Sequence, residues 1–256
     1  MRILVCVKRV PITGGRMVLT PDAQAVETKH LGFTISPHEE CAVEEAVRIV
    51  EAGSAAGTAG EVVVLTLGAA EAEEQLRDCM AIGADRGILL ETDREDWDAQ
   101  ATAAAIVEAI SGEGEPFDLL LFGNESADAG GYQVGIRVAH KLGLPVVTGL
   151  KKIERGDGRV RCERDVGGAR DVYEAPLPAV LTVLEGLNLP RYPSVPGRLR
   201  AKQKPLVRMP VSPAEPQLEK LRLIVPEGQG KEAEILGEGA AAAPRVVELL
   251  QELGVA

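Results

Sequence analysis

The sequence predicts an α/β fold, a doubly wound and mostly parallel sheet with helices on both faces. Three observations predict it. Apolar runs recur at residues 3–7, 62–67 and 119–122, as in strands buried on both faces. Stretches of helical periodicity alternate with these runs, a rhythm that calls for right-handed crossovers. The apolar content is mostly Ala, Val, Leu and Ile with only 3% aromatic residues, which suits a helix-covered parallel sheet.

Residues 3–7 form the first strand, ended by Lys8-Arg9 and a loop over 11–15. A long polar segment with weak signals follows. Ser36-Pro37-His38-Glu39 then marks a helix start: a capping serine, proline in the first turn, and glutamate three residues after the serine. The apolar stripe of this helix runs Ala42, Val43, Ala46, Val47, Val50, and Gly53 is expected to close it before a surface linker to Gly60. Residues 62–67 make the next strand. The helix after it turns Leu76, Cys79 and Met80 inward and is expected to end in a left-handed cap at Gly83. A short strand at 87–90 precedes an alanine-rich helix over 98–110, whose small side chains allow close approach to the sheet. The run from Asp118 to Phe122 is a strand. A helix with Val134, Val138 and Leu142 on one face follows, then a strand over 144–148.

After Leu150 the rhythm changes. Residues 151–154 and 160–164 flank Arg155-Gly156-Asp157-Gly158, a hairpin turn signal. Strands at 170–173 and 179–184 are expected as an antiparallel extension of the same sheet. From Asn188 onward prolines recur at 190, 193, 196, 205, 210, 213, 216 and 226, which predicts an extended arm ending in one short helix over 244–253. The expected organisation is an α/β domain over 1–190 and an arm over 191–256. A compact domain has little use for so long an irregular tail, so the arm is expected to lie on a partner subunit.

Composition narrows the function classes. The net charge of −11 disfavours non-specific binding to nucleic acid or anionic membrane. Cys6, Cys41, Cys79 and Cys162 are scattered without a C-x-x-C pair, and read as buried small hydrophobes in a reducing compartment. The amino-terminal apolar run is too short for a signal-peptide core, and no segment approaches a membrane span. A soluble, cytoplasmic protein without direct membrane insertion is expected. Its three histidines, His30, His38 and His140, lie far apart in sequence, and no nucleophile–base constellation is present. No catalytic and no metal-ligating residue is assigned.

The segment from Asp118 to Gly135 is the most informative. A buried strand ends at Gly123, and a polar, glycine-bearing loop leads into a helix. Such a loop brings free backbone N–H groups and the positive end of a helix dipole to the carboxyl edge of the sheet, where α/β proteins bind phosphorylated ligands. It reads equally as a plain strand-to-helix connection, because neither Walker-A nor G-x-G-x-x-G spacing is present.

Four motifs break the tie: Val7-Lys-Arg-Val-Pro11, Cys41-Ala-Val-Glu-Glu-Ala-Val47, Met80-Ala-Ile-Gly-Ala-Asp-Arg-Gly87, and Leu189-Pro-Arg-Tyr-Pro-Ser-Val-Pro196 followed by Ala201-Lys202. In this order, over roughly residues 1–208, the chain resembles the β (small) subunit of electron transfer flavoproteins. The resemblance implies a Rossmann-like three-layer α/β/α domain, doubly wound, with an antiparallel extension and an extended C-terminal arm. It implies an α subunit that holds most contacts to a redox FAD, and a structural AMP in this chain. By position, the nucleotide site would comprise Cys6, Ser36, Pro37, His38, Glu39, Leu67, Gly123, Asn124, Glu125, Ser126, Ala127, Asp128, Ala129, Gly130, Gly131, Tyr132, Gln133 and Val134. Phosphate would lie against the amides of 130–134, with Ser126 and Gln133 as side-chain donors, and adenine near Cys6 and Leu67. Asp128, which cannot face phosphate favourably while ionised, would accept from a ribose hydroxyl or cap the helix.

The resemblance also implies a docking loop for flavin dehydrogenases such as the acyl-CoA dehydrogenases of fatty acid β-oxidation, with Arg191, Tyr192, Val195 and Pro196 at the contact. Residues 189–210 carry six basic side chains and no acid, read either as a solvated face or as steering for a partner. Nucleic acid fits poorly there, since only Tyr192 could stack on a base. Asp165 matches an acidic position that couples to the mobile flavin domain, or is an ordinary exposed strand charge. The chain departs from the family pattern at Val166-Gly-Gly-Ala169, at Cys162, and at His38, where an aromatic residue often approaches the flavin. The implied function is that of an electron carrier subunit without catalytic residues of its own, passing electrons to a membrane quinone oxidoreductase. Two alternatives stand beside it. One is the electron-bifurcating type, with a second, reactive FAD in place of AMP. The other is a stand-alone adenine-nucleotide-binding domain of the universal-stress type, which would be a homodimer.

Overall fold

The computed structural model describes residues 1–14, 17–94, 97–211, 217–225 and 234–255. Gly15 and Pro213, Pro216 and Pro226 of the expected loop and arm lie outside these residues. In chain order the elements are β1 (Arg2–Cys6), β2 (Val10–Pro11), β3 (Phe33–Thr34), α1 (Pro37–Ala55), β4 (Glu61–Gly68), α2 (Glu73–Ile82), β5 (Arg86–Glu91) and α3 (Ala99–Ser111). They continue with β6 (Leu119–Gly123), α4 (Val134–Leu142), β7 (Val146–Leu150), β8 (Lys152–Arg155), β9 (Arg159–Val166) and β10 (Ala169–Pro176). The last are β11 (Ala179–Val183), α5 (Val195–Ala201), β12 (Leu206–Pro210) and α6 (Ala243–Glu252). Two units are distinguished, Met1–Arg222 and Leu223–Ala256, and the second contains α6.

Alternation within the apolar runs builds two cores. Successive strand residues face opposite sides, so Ile3, Val5, Val62, Val64, Leu119 and Leu121 pack against α1 and α2. Leu4, Val63, Leu65, Leu120 and Phe122 pack against α3 and α4. The expected inward residues Leu76, Cys79 and Met80 are buried, as are all four cysteines. The result is the three-layer α/β/α arrangement.

The central sheet has seven strands in the order β12-β5-β4-β1-β6-β11-β7, and every neighbouring pair is parallel. The chain steps from β1 to β4 on one side and later to β6 on the other, so the direction of winding reverses between β1 and β6. At the amino edge Arg2 and Arg86 share Glu61 and Glu113, with Arg2 Nε 2.9 Å from Glu61, and Arg2 lies over the Phe117 ring. That ionic cluster closes one end of the sheet, and the loops of the carboxyl edge carry the crevice.

Several expectations are corrected. Helix α1 runs through Gly53 to Ala55, because the turn beyond, not the glycine, ends it. Gly83 caps α2 with φ +152°, outside the left-handed helical well, and an added Cβ would meet the Val47 side chain at 2.6 Å. The antiparallel strands β8, β9 and β10 form a sheet of their own, placing Ile153, Val160 and Cys162 against the α1-side core. Strand β11 is not antiparallel. It inserts between β6 and β7, parallel to both. The proline-rich stretch after Asn188 is also more regular than expected. It forms α5, begun by the Ser194 cap with proline in the first turn, and β12, paired with β5 at the sheet edge. Proline is tolerated at the end of an edge strand, because its missing N–H interrupts no ladder on that side.

No helix among the described residues is long and apolar enough to cross a membrane.

Candidate functional site

The carboxyl ends of β1 and β6 and the start of α1 are tied together by one side chain, Glu39. It completes the capping box: Ser36 Oγ accepts from the Glu39 N–H at 3.2 Å, and Glu39 Oε2 accepts from the Ser36 N–H at 2.8 Å. Its other oxygen, Oε1, accepts from the Lys8 N–H at 2.9 Å, just beyond β1. Glu39 is 5% exposed, and burial pushes its carboxyl up to about 8 against the pull of these donors. Gly123 ends β6 directly against it. A Cβ at that position would fall 2.7 Å from Glu39 Cγ and 3.2 Å from its backbone nitrogen, so only glycine lets α1 approach so closely. Gly123→Ala is accordingly expected to destabilise the protein by about 1–3 kcal/mol. A urea midpoint equal to wild type would show that α1 can yield at this contact.

The loop after β6 is pinned at its base and open at its tip. The Asn124 N–H donates to the Val183 carbonyl at 2.8 Å, and Asn124 Oδ1 accepts from Thr182 Oγ1 at 2.8 Å. Ser36 Oγ donates to the Glu125 carbonyl at 3.1 Å, joining the loop to the start of α1. Gly130 turns with φ +54° and Tyr132 with φ +55°, the latter in a region costly for a side chain of its size. No side chain caps α4, whose Ncap is Gln133, so the N–H groups of its first turn keep their donors free. The Gln133 amide oxygen is engaged by Arg137 at 2.9 Å.

Between these parts lies a cleft of about 360 Å³, lined by Ser36, Pro37, His38, residues 125–130 and Glu185. The structure thus brings Ser36, Pro37, His38, Glu125, Ser126, Ala127, Asp128, Ala129 and Gly130 together around one crevice. Gly131, Tyr132, Gln133 and Val134 lie beyond it at the start of α4. Cys6, Leu67, Glu39, Gly123 and Asn124 do not line it. Burial pushes the Cys6 thiol up, which suits packing and not nucleophilic chemistry.

Three carboxylates, Glu125, Asp128 and Glu185, border the cleft. Asp128 does not cap α4. It pairs with Lys8 at 2.6 Å, and although burial works against it, that ammonium holds its carboxyl below the usual range. His38 Nδ1 accepts from the Glu185 N–H at 2.7 Å, while Nε2 lies 3.5 Å from Glu125 Oε1. The neutral ring therefore carries its proton on Nε2, facing the carboxylate. Sequence reasoning missed Lys8, Thr182 and Glu185. Lys8 was within reach, since residues just past the first strand of a doubly wound sheet line its crevice. Glu185 is 147 positions from His38, and no local signal joins them.

The free N–H groups of α4, the helix start at Ser36 and the loop between them stand at the point where the winding of the sheet reverses. That is where doubly wound folds hold nucleotides. The model of the electron transfer flavoprotein domain matches residues 25–214 of this chain. The chain belongs to the electron transfer flavoprotein family. Its likeness extends over nearly the whole length to electron transfer flavoprotein subunit beta of Syntrophomonas wolfei, at 35% identity over 98% of this chain and 96% of that one. The Bacillus subtilis subunit beta is 31% identical over 98% of each chain. A third relative, the Caffeyl-CoA reductase-Etf complex subunit CarD of Acetobacterium woodii, is 35% identical over 80% of this chain and 77% of that one. Membership sets aside the stand-alone stress-type domain. It makes the chain part of an electron carrier and implies an α partner.

The residues expected to dock and to couple lie elsewhere. Tyr192 and Val195 are 96% and 74% exposed at the entry to α5. Of the six basic residues noted between 189 and 210, four are engaged within the chain, Arg198 among them through Asp78 at 3.5 Å. Arg191 forks to Glu44 and Glu51, Arg208 to Glu73 and Glu91, and Lys204 donates to carbonyls ending α2, including Ala84 O at 2.6 Å. Arg198 is exposed on α5 despite that pair, and Arg200 and Lys202 are exposed on or beside the helix. Asp165 forms a cross-strand pair with Arg170 at 3.1 Å within the small sheet.

Proposed function

We propose that this chain is the β subunit of a heterodimeric electron transfer flavoprotein. In this reading it takes electrons from flavin dehydrogenases, such as acyl-CoA dehydrogenases, and passes them to a membrane quinone oxidoreductase from the cytoplasm. The single observation that carries the reading is the crevice between β1 and β6, where two helix starts meet the carboxyl ends of the strands in a chain of this family.

The residues present fit a structural AMP. A cleft of about 360 Å³ is within the size range of small-molecule sites. The carboxylates around it repel a phosphate, and the uncapped start of α4 attracts one. A Cβ at Gly131 would meet nothing, so that start is open to an approaching group. The expected amides of 130–134 narrow to 131–134, because the Gly130 N–H already donates to the Ser126 carbonyl at 3.1 Å. Phosphate is assigned to these and the nucleoside to the cleft, with Asp128 or Glu125 accepting from ribose hydroxyls. Cys6 and Leu67 back the base. The FAD, held mainly by the α subunit, supplies the redox chemistry. This chain binds, orients and docks. Arg191, Tyr192, Val195 and Pro196 form the dehydrogenase contact, and Asp165 the contact to the flavin domain.

Similarity to a subunit of a reductase–Etf complex favours a second reading, in which a reactive FAD occupies this crevice in place of AMP. Mass spectrometry of nucleotides released from the purified heterodimer separates the two. One FAD and one AMP per heterodimer is the expected result. Two FAD would establish the second reading, and absence of any adenine nucleotide beyond one FAD would refute a nucleotide in this chain. Val195→Asp is expected to weaken docking and leave the nucleotide content intact.

A further inference from the structure

Residues 185–191, which lead from β11 to the docking residues, run along α1 and are bonded to it at successive turns. The Glu185 N–H donates to His38 Nδ1 at 2.7 Å. Asn188 Nδ2 donates to the Cys41 carbonyl at 3.0 Å and to Glu45 Oε2 at 2.9 Å. The Leu189 carbonyl accepts from Arg48 Nη2 at 3.1 Å. At the end of the run, Glu44 takes the Arg191 N–H at 3.2 Å, its Nε at 2.9 Å and its Nη2 at 3.1 Å, together with Arg48 Nε at 2.6 Å. The Glu44 side chain is 2% exposed, so this ionic contact is shielded from solvent on the carboxylate side. Glu51 holds the outer arm of the same guanidinium at 2.7 Å. Beyond the exposed Tyr192 and Val195 the chain is gripped again: a Cβ at Gly197 would fall 2.4 Å from the Ala81 carbonyl oxygen. The two apolar side chains offered to solvent thus stand on a short span fixed at both ends.

We propose that Glu44 is the positioning residue of the docking segment. It holds Arg191, and through it residues 189–196, in the docking-competent conformation before any dehydrogenase arrives. A segment ordered in advance has less conformational freedom to lose at encounter, so the same apolar contacts yield tighter association. The charge on Glu44 is the essential element, because a guanidinium fork needs a carboxylate to accept two parallel N–H bonds. This inference rests on the docking role proposed above and adds the group that makes the segment rigid.

The test uses the heterodimer with its α subunit, and an acyl-CoA dehydrogenase that reduces the wild-type complex. Glu44→Gln is expected to speed hydrogen exchange at amides 189–196 and to raise the KM for the flavoprotein, each by roughly tenfold. The kcat and the nucleotide content should not change, a split that a general loss of fold would not produce. Arg191→Lys keeps the charge and loses the fork, leaves Glu44 its Arg48 partner, and is expected to move exchange and KM the same way. Wild-type exchange rates in both variants would overturn the proposal. So would an unchanged KM in Glu44→Gln while Val195→Asp raises it, which leaves docking standing and removes the clamp. An unchanged KM in Val195→Asp would remove the docking reading, and this one with it.

Discussion

Glu39→Ala is expected to lower the unfolding free energy by roughly 1–4 kcal/mol, because it strands one buried N–H group at about 1–3 kcal/mol and removes the acceptor of a second, part-buried one. Those donors are Ser36 N–H, at the start of α1, and Lys8 N–H, at the exit of β1. No water-exposed route replaces the lost acceptor at Ser36, which is fully buried. The same carboxyl predicts a pH dependence. Burial raises it from the ordinary 4.5 to about 8, so the folded chain holds this proton more tightly than the unfolded one. Its contribution is fully present below the ordinary carboxyl range and is lost as pH rises through the folded value. The wild-type urea midpoint should therefore fall between about pH 5 and 8, and the alanine variant should lack that component. An alanine variant with a wild-type midpoint, or with an unaltered pH slope, would mean that Glu39 does not join the three segments.

Leu121→Ala is the second large effect. Leu121 is fully buried in β6, paired with β1 on one side and β11 on the other. Removing three carbons leaves a cavity under α1 that a sheet hydrogen-bonded on both flanks cannot collapse to fill. The expected loss is about 2–5 kcal/mol. Leu199→Ala is the matched control. That side chain is 61% exposed on α5, and its removal should change stability by no more than about 0.5 kcal/mol. Equal effects at the two positions, in denaturant titrations followed by circular dichroism, would contradict the placement of β6 at the centre of the sheet. Because β6 feeds the loop at 124–133, nucleotide content of the Leu121 variant should fall only as the folded fraction falls.

Legibility in the sequence follows the range of the interaction concerned. The start of α1 is readable because its cap, its proline and its glutamate lie within four residues and bond to one another. The strands of the first half are readable because burial on both faces leaves an unbroken apolar run. The Ser194 cap and Pro196 carry the same kind of signal as Ser36 and Pro37, yet the density of prolines around them argues for an irregular arm. Here a local signal was outweighed by composition, and the structure favours the local one. Strand β12 has no signal of its own. Its residues are ordinary, and they become a strand only because β5 offers an unpaired edge. The loop after β6 stands between these cases. Its glycines and free amides are visible in the sequence, but that they face Ser36, His38 and Glu185 across a cleft is not.

The sequence by itself determined the elements, their alternation, the helix start at the crevice and the family, because periodicity, capping and ordered motifs are written in neighbouring residues. Only the tertiary structure decided that β11 lies parallel between β6 and β7, that Lys8 neutralises Asp128, and that Arg191 is held by Glu44. Those outcomes depend on pairs tens to more than a hundred positions apart along the chain. What joins such pairs is the competition among all strands for edges and all charges for partners, and that competition is resolved only when the chain folds.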